Sequence, residues 1–308
     1  MTQKKYAGVI GRILLVITTV IWGSSFVILK DTLTTFGGGH FTFFVLAARF
    51  AVGALSLAVF ALIRRKKFDK KILVKGCIVG AILFAAYGFQ TVGLLYTTPS
   101  KNAFLTPAYC MIVPILGWVF FKNRPKLNNY VAAGLMLIGI AFVSLIGRNE
   151  RGENELLGDM LTICSSLFYA LQILFNEHFV KEDDDPINIL VVALAVVSVL
   201  CVAVSGAVEF PFYFADLSIS FDVIWKILYL GIFATAFAQF SQIYAQGSVS
   251  GTTTSLILSL EGVFGVFFEV VLGETHITPL IVVGFVIIFI AEIISELGLP
   301  PWKKNIAE

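Results

Sequence analysis

The chain has 308 residues, 58% of them hydrophobic and only 14% charged, where a soluble domain carries roughly a quarter charged; its mean hydropathy is +0.90. That composition excludes a soluble enzyme or nucleic-acid-binding domain and describes a membrane protein. The net charge of +2 says little about partners, and the position of each charge says more.

Apolar stretches of about 18 or more residues read as membrane-spanning helices. Ten follow one another at 12–30, 41–63, 72–95, 102–121, 129–147, 156–179, 187–208, 222–245, 250–273 and 279–298. They are too long for tilted barrel strands and do not alternate with period two. The first follows Lys4, Lys5 and Arg12, but its apolar core is long and no small-residue cleavage site follows, so a retained helix is expected and not a signal peptide. It carries Trp22, Ser24 and Ser25. The glycines at 37–39 lack the lysine and strand of a phosphate cradle and read as a turn, so an ATP-driven mechanism would need a separate partner.

Arg49, in the second span, is the only Lys or Arg well inside any span. It suits a substrate carboxylate or phosphate, and equally a pair with an intramembrane Glu or snorkelling to the surface. In the third span, Gly76 and Gly80 have the spacing of a close helix crossing, and Tyr87 and Gln90 are polar. Asn102, Thr106 and Tyr109 step by four and three along one face of the fourth span. Pro107 and Pro114 lie seven residues apart on nearly one face; each removes a backbone donor, which predicts a kinked, cavity-lining helix. Tyr169, Gln172 and Asn176 follow in the sixth span, and Gln239 and Gln242 in the eighth. The ninth repeats the stepping with Ser255, Ser259 and Gly262, and Gly262 with Gly265 supplies a second place for bending or close approach. Any one of these neutral side chains reads as a hydrogen bond between helices or as cavity lining, and the stripes argue for a cavity more strongly than their members.

Two carboxylates interrupt the ninth span. Glu261 lies near mid-depth, where an ionisable group is a functional hypothesis by default; it offers proton coupling, cation recognition or a packing hydrogen bond. Glu269 is eight residues on, about 12 Å along the axis, so the two form no close dyad. Glu292, in the last span, suits packing. The cysteines (77, 110, 164 and 201) and the three histidines share no metal-ligand spacing. No enzyme, metal or cofactor is expected.

Sixteen Lys and Arg fall in the termini and loops on the side of the N-terminus and five on the other, so both termini are expected in the cytoplasm. The acidic loop "KEDDD" at 181–185 does not oppose this, because acidic residues count little. The segment from Ser100 can be laid on that from Thr252, 152 residues on. This offset divides the chain into halves at 1–150 and 151–308. Five spans per half turn the second copy upside down, an arrangement found in transporters with midplane sites.

The stretches "VIWGSSFVILK", "LYTTPSKNAFLTPAYCMIVPILGWVFF", "LYLGIFATAFAQFSQIYAQGSVSGTTTSLILSLEGVFGVFFEVVLGE" and "GFVIIFIAEIISEL" resemble the EamA-type members of the drug/metabolite transporter superfamily. The resemblance runs over residues 12–298. It implies an all-α polytopic protein with ten transmembrane helices in two inverted five-helix repeats around a central cavity. It also implies transport of small metabolites, often amino acids or amphipathic compounds, frequently as export. Three positions depart from the family: Glu261-Gly262 replaces its usual Glu-Pro, Glu269 stands where Trp is common, and Lys101 stands where a small polar residue is common.

The expected protein is a secondary transporter of a prokaryotic inner or plasma membrane, a monomer or weak homo-oligomer, driven by protons or by the substrate's own gradient. An exchanger of phosphorylated metabolites and a non-transporting membrane receptor or assembly protein remain alternatives.

Overall fold

The structure, a computed structural model, describes residues 2–36, 39–64, 68–122, 126–144, 154–181, 186–212, 220–272 and 278–297. Glycines 37–38, the basic residues at 65–67, Arg124, Arg148, Arg151, loop residues 182–185, His276, Lys303 and Lys304 lie outside them, as does the side chain of Glu292. The described residues form ten helical spans: α1 (Thr2–Thr35), α2 (Thr42–Arg64), α3 (Lys70–Tyr96), α4 (Pro99–Phe121), α5 (Leu127–Ser144), α6 (Glu155–Lys181), α7 (Pro186–Val208), α8 (Phe221–Gln246), α9 (Gly251–Val271) and α10 (Pro279–Leu297). Eight are long and apolar enough to cross a membrane; α5 and α10 contribute the shorter apolar stretches Leu127–Gly139 and Val282–Ala291.

Local chemistry sets several helix starts. Asp69 Oδ1 accepts from Ile72 N at 2.8 Å and opens α3. Thr98 caps α4 with Pro99 in the first turn, three residues earlier than hydrophobicity alone suggests. Glu209, beyond the end of α7, accepts from the backbone N–H groups of Phe43 (2.6 Å) and Phe44 (2.9 Å), so a buried carboxylate from the second half of the chain caps α2.

Polar and apolar residues are distributed as hydrocarbon surroundings require. Gln90, Asn102, Gln172, Gln239 and Gln242 are buried, whereas Leu55, Val59, Leu62, Val199 and Val202 are exposed. Cys110 and Cys201 are buried, Cys77 and Cys164 lie on exposed helix faces, and none is in a disulfide.

Helix packing obeys a two-fold rule. Helices α2 and α7 pack together, as do α4 and α9, and α5 and α10; α3 packs on α6 as α1 does on α8, and α4 on α6 as α1 does on α9. Exchanging α1–α5 for α6–α10 leaves this pattern unchanged, which identifies two structural repeats related by a pseudo-two-fold axis. Both α4 and α9 are broken at mid-length, at matching places. The break in α4 is the 3₁₀ turn Thr106–Ala108, and that in α9 is the Ser259–Leu260 turn between Gly251–Leu258 and Glu261–Val271.

Gly76 and Gly80 sit where α3 meets α7. A Cβ on Gly80 would lie 2.7 Å from Ala193 O and 2.8 Å from Val196 Cβ. Backbone cannot yield as a flexible side chain does, so Gly80→Ala is expected to destabilise the fold by about 2 kcal/mol. A lowered unfolding midpoint in detergent is the readout, and an unchanged midpoint would contradict this crossing.

Candidate functional site

Where the two repeats meet, α1, α2, α3, α4, α6, α8 and α9 surround a narrow cavity of about 30 Å³. Trp22, Ser25, Arg49, Tyr87, Gln90, Thr106, Tyr109, Gln172, Gln242 and Glu261 line it, together with Tyr169 and the apolar Phe26, Leu29, Ile173 and Leu258.

The kink in α4 builds one wall. Pro107 has no N–H to donate to the preceding turn, and beside it Ser166 Oγ on α6 donates to the Thr106 carbonyl at 2.8 Å, which also accepts from the Tyr109 N–H. Thr106 Oγ1 accepts from Gln90 Nε2 (3.0 Å), and Gln90 Oε1 accepts from Tyr169 Oη (2.6 Å). Pro114 lies inside the regular second half of α4. The α9 break has no proline; Ser259 Oγ there donates to Leu256 O at 2.5 Å. Gly262 and Gly265, expected at the bend, follow it and let α9 approach α4: a Cβ on Gly265 would lie 2.6 Å from Ala103 Cβ.

Arg49 is 2% exposed, so it does not snorkel. Its Nε donates to Thr235 Oγ1 (2.7 Å) and its Nη2 to Ala234 O (3.1 Å), and Trp22 Nε1 donates to the same carbonyl (2.9 Å). Both acceptors lie in a π-helical segment, Ile232–Phe237, interrupting α8. Such single-turn bulges recur at functional sites, and here the wider turn holds two side chains from another repeat. The Tyr87 ring covers the guanidinium at 4.9 Å.

No ion pair joins Arg49 to Glu261 among the described residues. Three aromatic rings lie between them: Tyr87 meets Tyr169 at 5.4 Å, Tyr169 meets Tyr109 at 6.3 Å, and Tyr109 Oη donates to Glu261 Oε1 at 3.0 Å. The cavity thus has a cation at one end, a carboxyl group at the other and an aromatic wall between.

Two hydrogen bonds mark the pseudo-two-fold axis. Tyr109–Glu261 and Gln239 Nε2–Tyr87 Oη (3.3 Å) each join residues 152 positions apart, which is the repeat offset. The axis therefore runs through the cavity, and its symmetry is broken there by chemistry, Tyr facing Glu and Tyr facing Gln.

Other residues singled out from the sequence lie outside the lining. Gln239 is a buried neighbour of Gln172, accepting from its Nε2 at 3.2 Å. Asn102 Nδ2 donates to Gln90 O and Thr162 Oγ1, locking α4 to α3 and α6. Ser24 Oγ lies 2.6 Å from Tyr229 Oη, and Ser255 Oγ donates to its own helix. Asn176 and Glu269 are buried between helices. The apolar lining carries no sequence signal that separates it from lipid-facing Phe and Leu, and the π segment carries none at all.

Residues 9–145 and 156–295 each match the EamA-like transporter family. The chain belongs to that family. Two proteins of Archaeoglobus fulgidus (strain ATCC 49558 / DSM 4304 / JCM 9628 / NBRC 100126 / VC-16), both named as uncharacterized transporters, are similar to it. One is 29% identical over 283 residues, covering 92% of this chain and 84% of its own; the other is 22% identical over 262 residues, covering 83% and 87%. A solved crystal structure with 12% identity superposes with a TM-score of 0.71 over 95% of this chain and 97% of its own, and shows the same fold. This EamA-family protein is therefore a membrane transporter.

Packing of α8 against α2 holds the Arg49 site. A Cβ on Gly231 would lie 2.6 Å from Val52 Cβ and 2.9 Å from Arg49 O. In this EamA-family transporter, Gly231→Ala is expected to cost about 1–3 kcal/mol of stability. It is also expected to weaken transport beyond what reduced protein abundance explains, which transport rates normalised to folded protein would test.

Proposed function

We propose that the protein is a secondary-active transporter that exports small amphipathic metabolites, amino-acid-like compounds among them, by alternating access across the plasma membrane, with both termini cytoplasmic. The observation that carries this reading is the placement of Arg49 and Glu261 at opposite sides of a cavity walled between them by the rings of Tyr87, Tyr109 and Tyr169, with the neutral polar Ser25, Gln90, Thr106, Gln172 and Gln242 and apolar residues completing the lining. A substrate with a carboxylate, an apolar body and an ammonium matches each feature: the carboxylate meets the guanidinium, the body meets the aromatic wall, and the ammonium meets Glu261. The inverted repeats supply the mechanical frame, rocking about an axis through the site. Protons and the substrate's own gradient are both available as driving forces.

Exchange of phosphorylated metabolites finds less support. A phosphate site favours more than one cation; Arg49 is the only Lys or Arg in the lining, and Lys101 is engaged by Glu155.

The test compares metabolites retained by cells that express the protein with those retained by cells that do not, at two external pH values. Depletion of zwitterionic compounds with apolar side chains is the expected result, and a pH-dependent difference would name the proton as coupling ion. Depletion of phosphorylated compounds would favour the exchanger, and identical contents at both pH values would overturn export.

A further inference from the structure

Three side chains carry the cavity wall onward, toward the face that holds the N-terminal end of α1. Gln172 on α6, Gln242 on α8 and Leu258 on α9 line the cavity, and Asn176, Gln246 and Thr254 lie four residues from them, each toward that face. A step of four residues keeps a helix face and moves about 6 Å along the axis. Contacts on either side of Asn176 bring the three helices together there. Gln246 Nε2 donates to Ile173 O at 2.8 Å, and Gly251 N, at the start of α9, donates to Glu177 Oε2 at 2.8 Å.

Asn176, Gln246 and Thr254 are all 0% exposed. Among the described residues, Asn176 Nδ2, Asn176 Oδ1, Gln246 Oε1 and Thr254 Oγ1 have no hydrogen-bond partner. A buried polar atom is normally paired, and four such atoms on three neighbouring helices, one turn beyond a cavity, describe a site.

Packing alone does not call for polar residues here. Gly93 approaches Gly158 as Gly11 approaches Ala245, which makes residues 93 and 245 repeat-equivalent at an offset of 152 and residues 11 and 158 at 147. By these offsets Gln246 corresponds to Leu94, Asn176 to Leu29 and Thr254 to Asn102. Leu94 and Leu29 are buried, and the Asn102 amide donates to Gln90 O and Thr162 Oγ1. The same fold thus accepts leucine at two of the three positions in its other half.

Chemistry selects the occupant. The unpaired atoms comprise an amide donor, two amide carbonyls and a hydroxyl that can both donate and accept. A bare cation would suit the oxygens and be repelled by the Asn176 amide N–H groups; an anion would do the reverse. The neighbouring Glu177 carboxylate is already engaged by Gly251 N and Lys181. Water satisfies donors and acceptors together, and a buried water typically makes about three such bonds.

We propose that Asn176, Gln246 and Thr254 form an internal water site that continues the cavity toward the N-terminal face and offers hydrogen-bond partners to the substrate's polar groups as they pass between the two. The passage rests on the alternating-access reading; the water site does not.

The experiment measures unfolding midpoints of the purified protein in detergent for Asn176→Leu, Thr254→Val and the two combined. Each single change removes a partner of shared water and is expected to lower the midpoint by about 2 °C or more. The combined variant is expected to fall no further than the lower single one, because the second change finds the water already lost. Thr254→Ser, which keeps the hydroxyl, should match wild type. A midpoint raised by Asn176→Leu, the result for a dry amide whose removal relieves an unpaired group, would overturn the water site, as would additive losses.

The passage is read from the zwitterionic compounds that the wild-type protein depletes from cells. Asn176→Leu and Thr254→Val are expected to slow their depletion about threefold or more per folded protein, with Thr254→Ser unchanged. Full rates in both variants would overturn the passage and leave alternating access standing. No depletion by the wild type would overturn the passage together with the export reading, while the midpoints still decide the water site.

Discussion

Arg49→Gln is expected to lower transport at least about a hundredfold, equivalent to about 2.7 kcal/mol at the site, without a comparable loss of folded protein. The guanidinium does two things that Gln cannot do together. Its Nε and Nη2 grip the π segment through Thr235 Oγ1 and Ala234 O, and its charge, unmatched by any contacting carboxylate among the described residues, faces the cavity. Truncating one side of a buried charge-assisted contact typically costs about 2–5 kcal/mol, so the binding step suffers most. Arg49→Lys separates the two contributions, because Lys keeps the charge but is a point donor on a flexible stem. It should retain part of the activity with a raised KM. Thr235→Val, which removes the acceptor of Nε and keeps the shape, should cost about tenfold. Equal activity in wild type, Arg49→Gln and Arg49→Lys would remove Arg49 from the site.

The large features of this arrangement are legible in the sequence because they rest on periodic, local signals. Ten apolar runs, the 152-residue offset and the prolines of α4 survive any detail of packing. The same offset equates Tyr109 with Glu261 and Tyr87 with Gln239, although nothing in the sequence says that equivalent residues touch. What escapes sequence reading depends on tertiary partners. The π turn exists in company with Arg49 and Trp22, which reach one of its carbonyls from other helices. The cap on α2 comes from Glu209, 166 residues from Phe43. Lys101 and Lys226 read as loop-side charges until α6 and α1 bring Glu155 and Asp31 against them. Asn102 and Ser255, which share a face with cavity residues, turn their polar groups into helix contacts, because a stripe of helical spacing is wider than the narrow strip that borders the cavity.

Glu261→Gln probes the other end of the site with almost no change of shape. The Gln carbonyl can still accept from Tyr109 Oη, so the hydrogen bond on the pseudo-two-fold axis is kept and the fold should lose less than about 1 kcal/mol. What disappears is the capacity to carry a negative charge. Transport of a substrate bearing an ammonium group is therefore expected to fall about tenfold to a hundredfold, whereas an analogue lacking the amine should be moved nearly as well as by wild type. Tyr109→Phe provides the converse control: it removes the donor and leaves the carboxyl group ionisable, so amine discrimination should persist while the axis contact is lost. If Glu261→Gln moves the amine and its analogue in the wild-type ratio, Glu261 is a packing group, and recognition of the substrate's cationic end must come from the tyrosine faces that surround it.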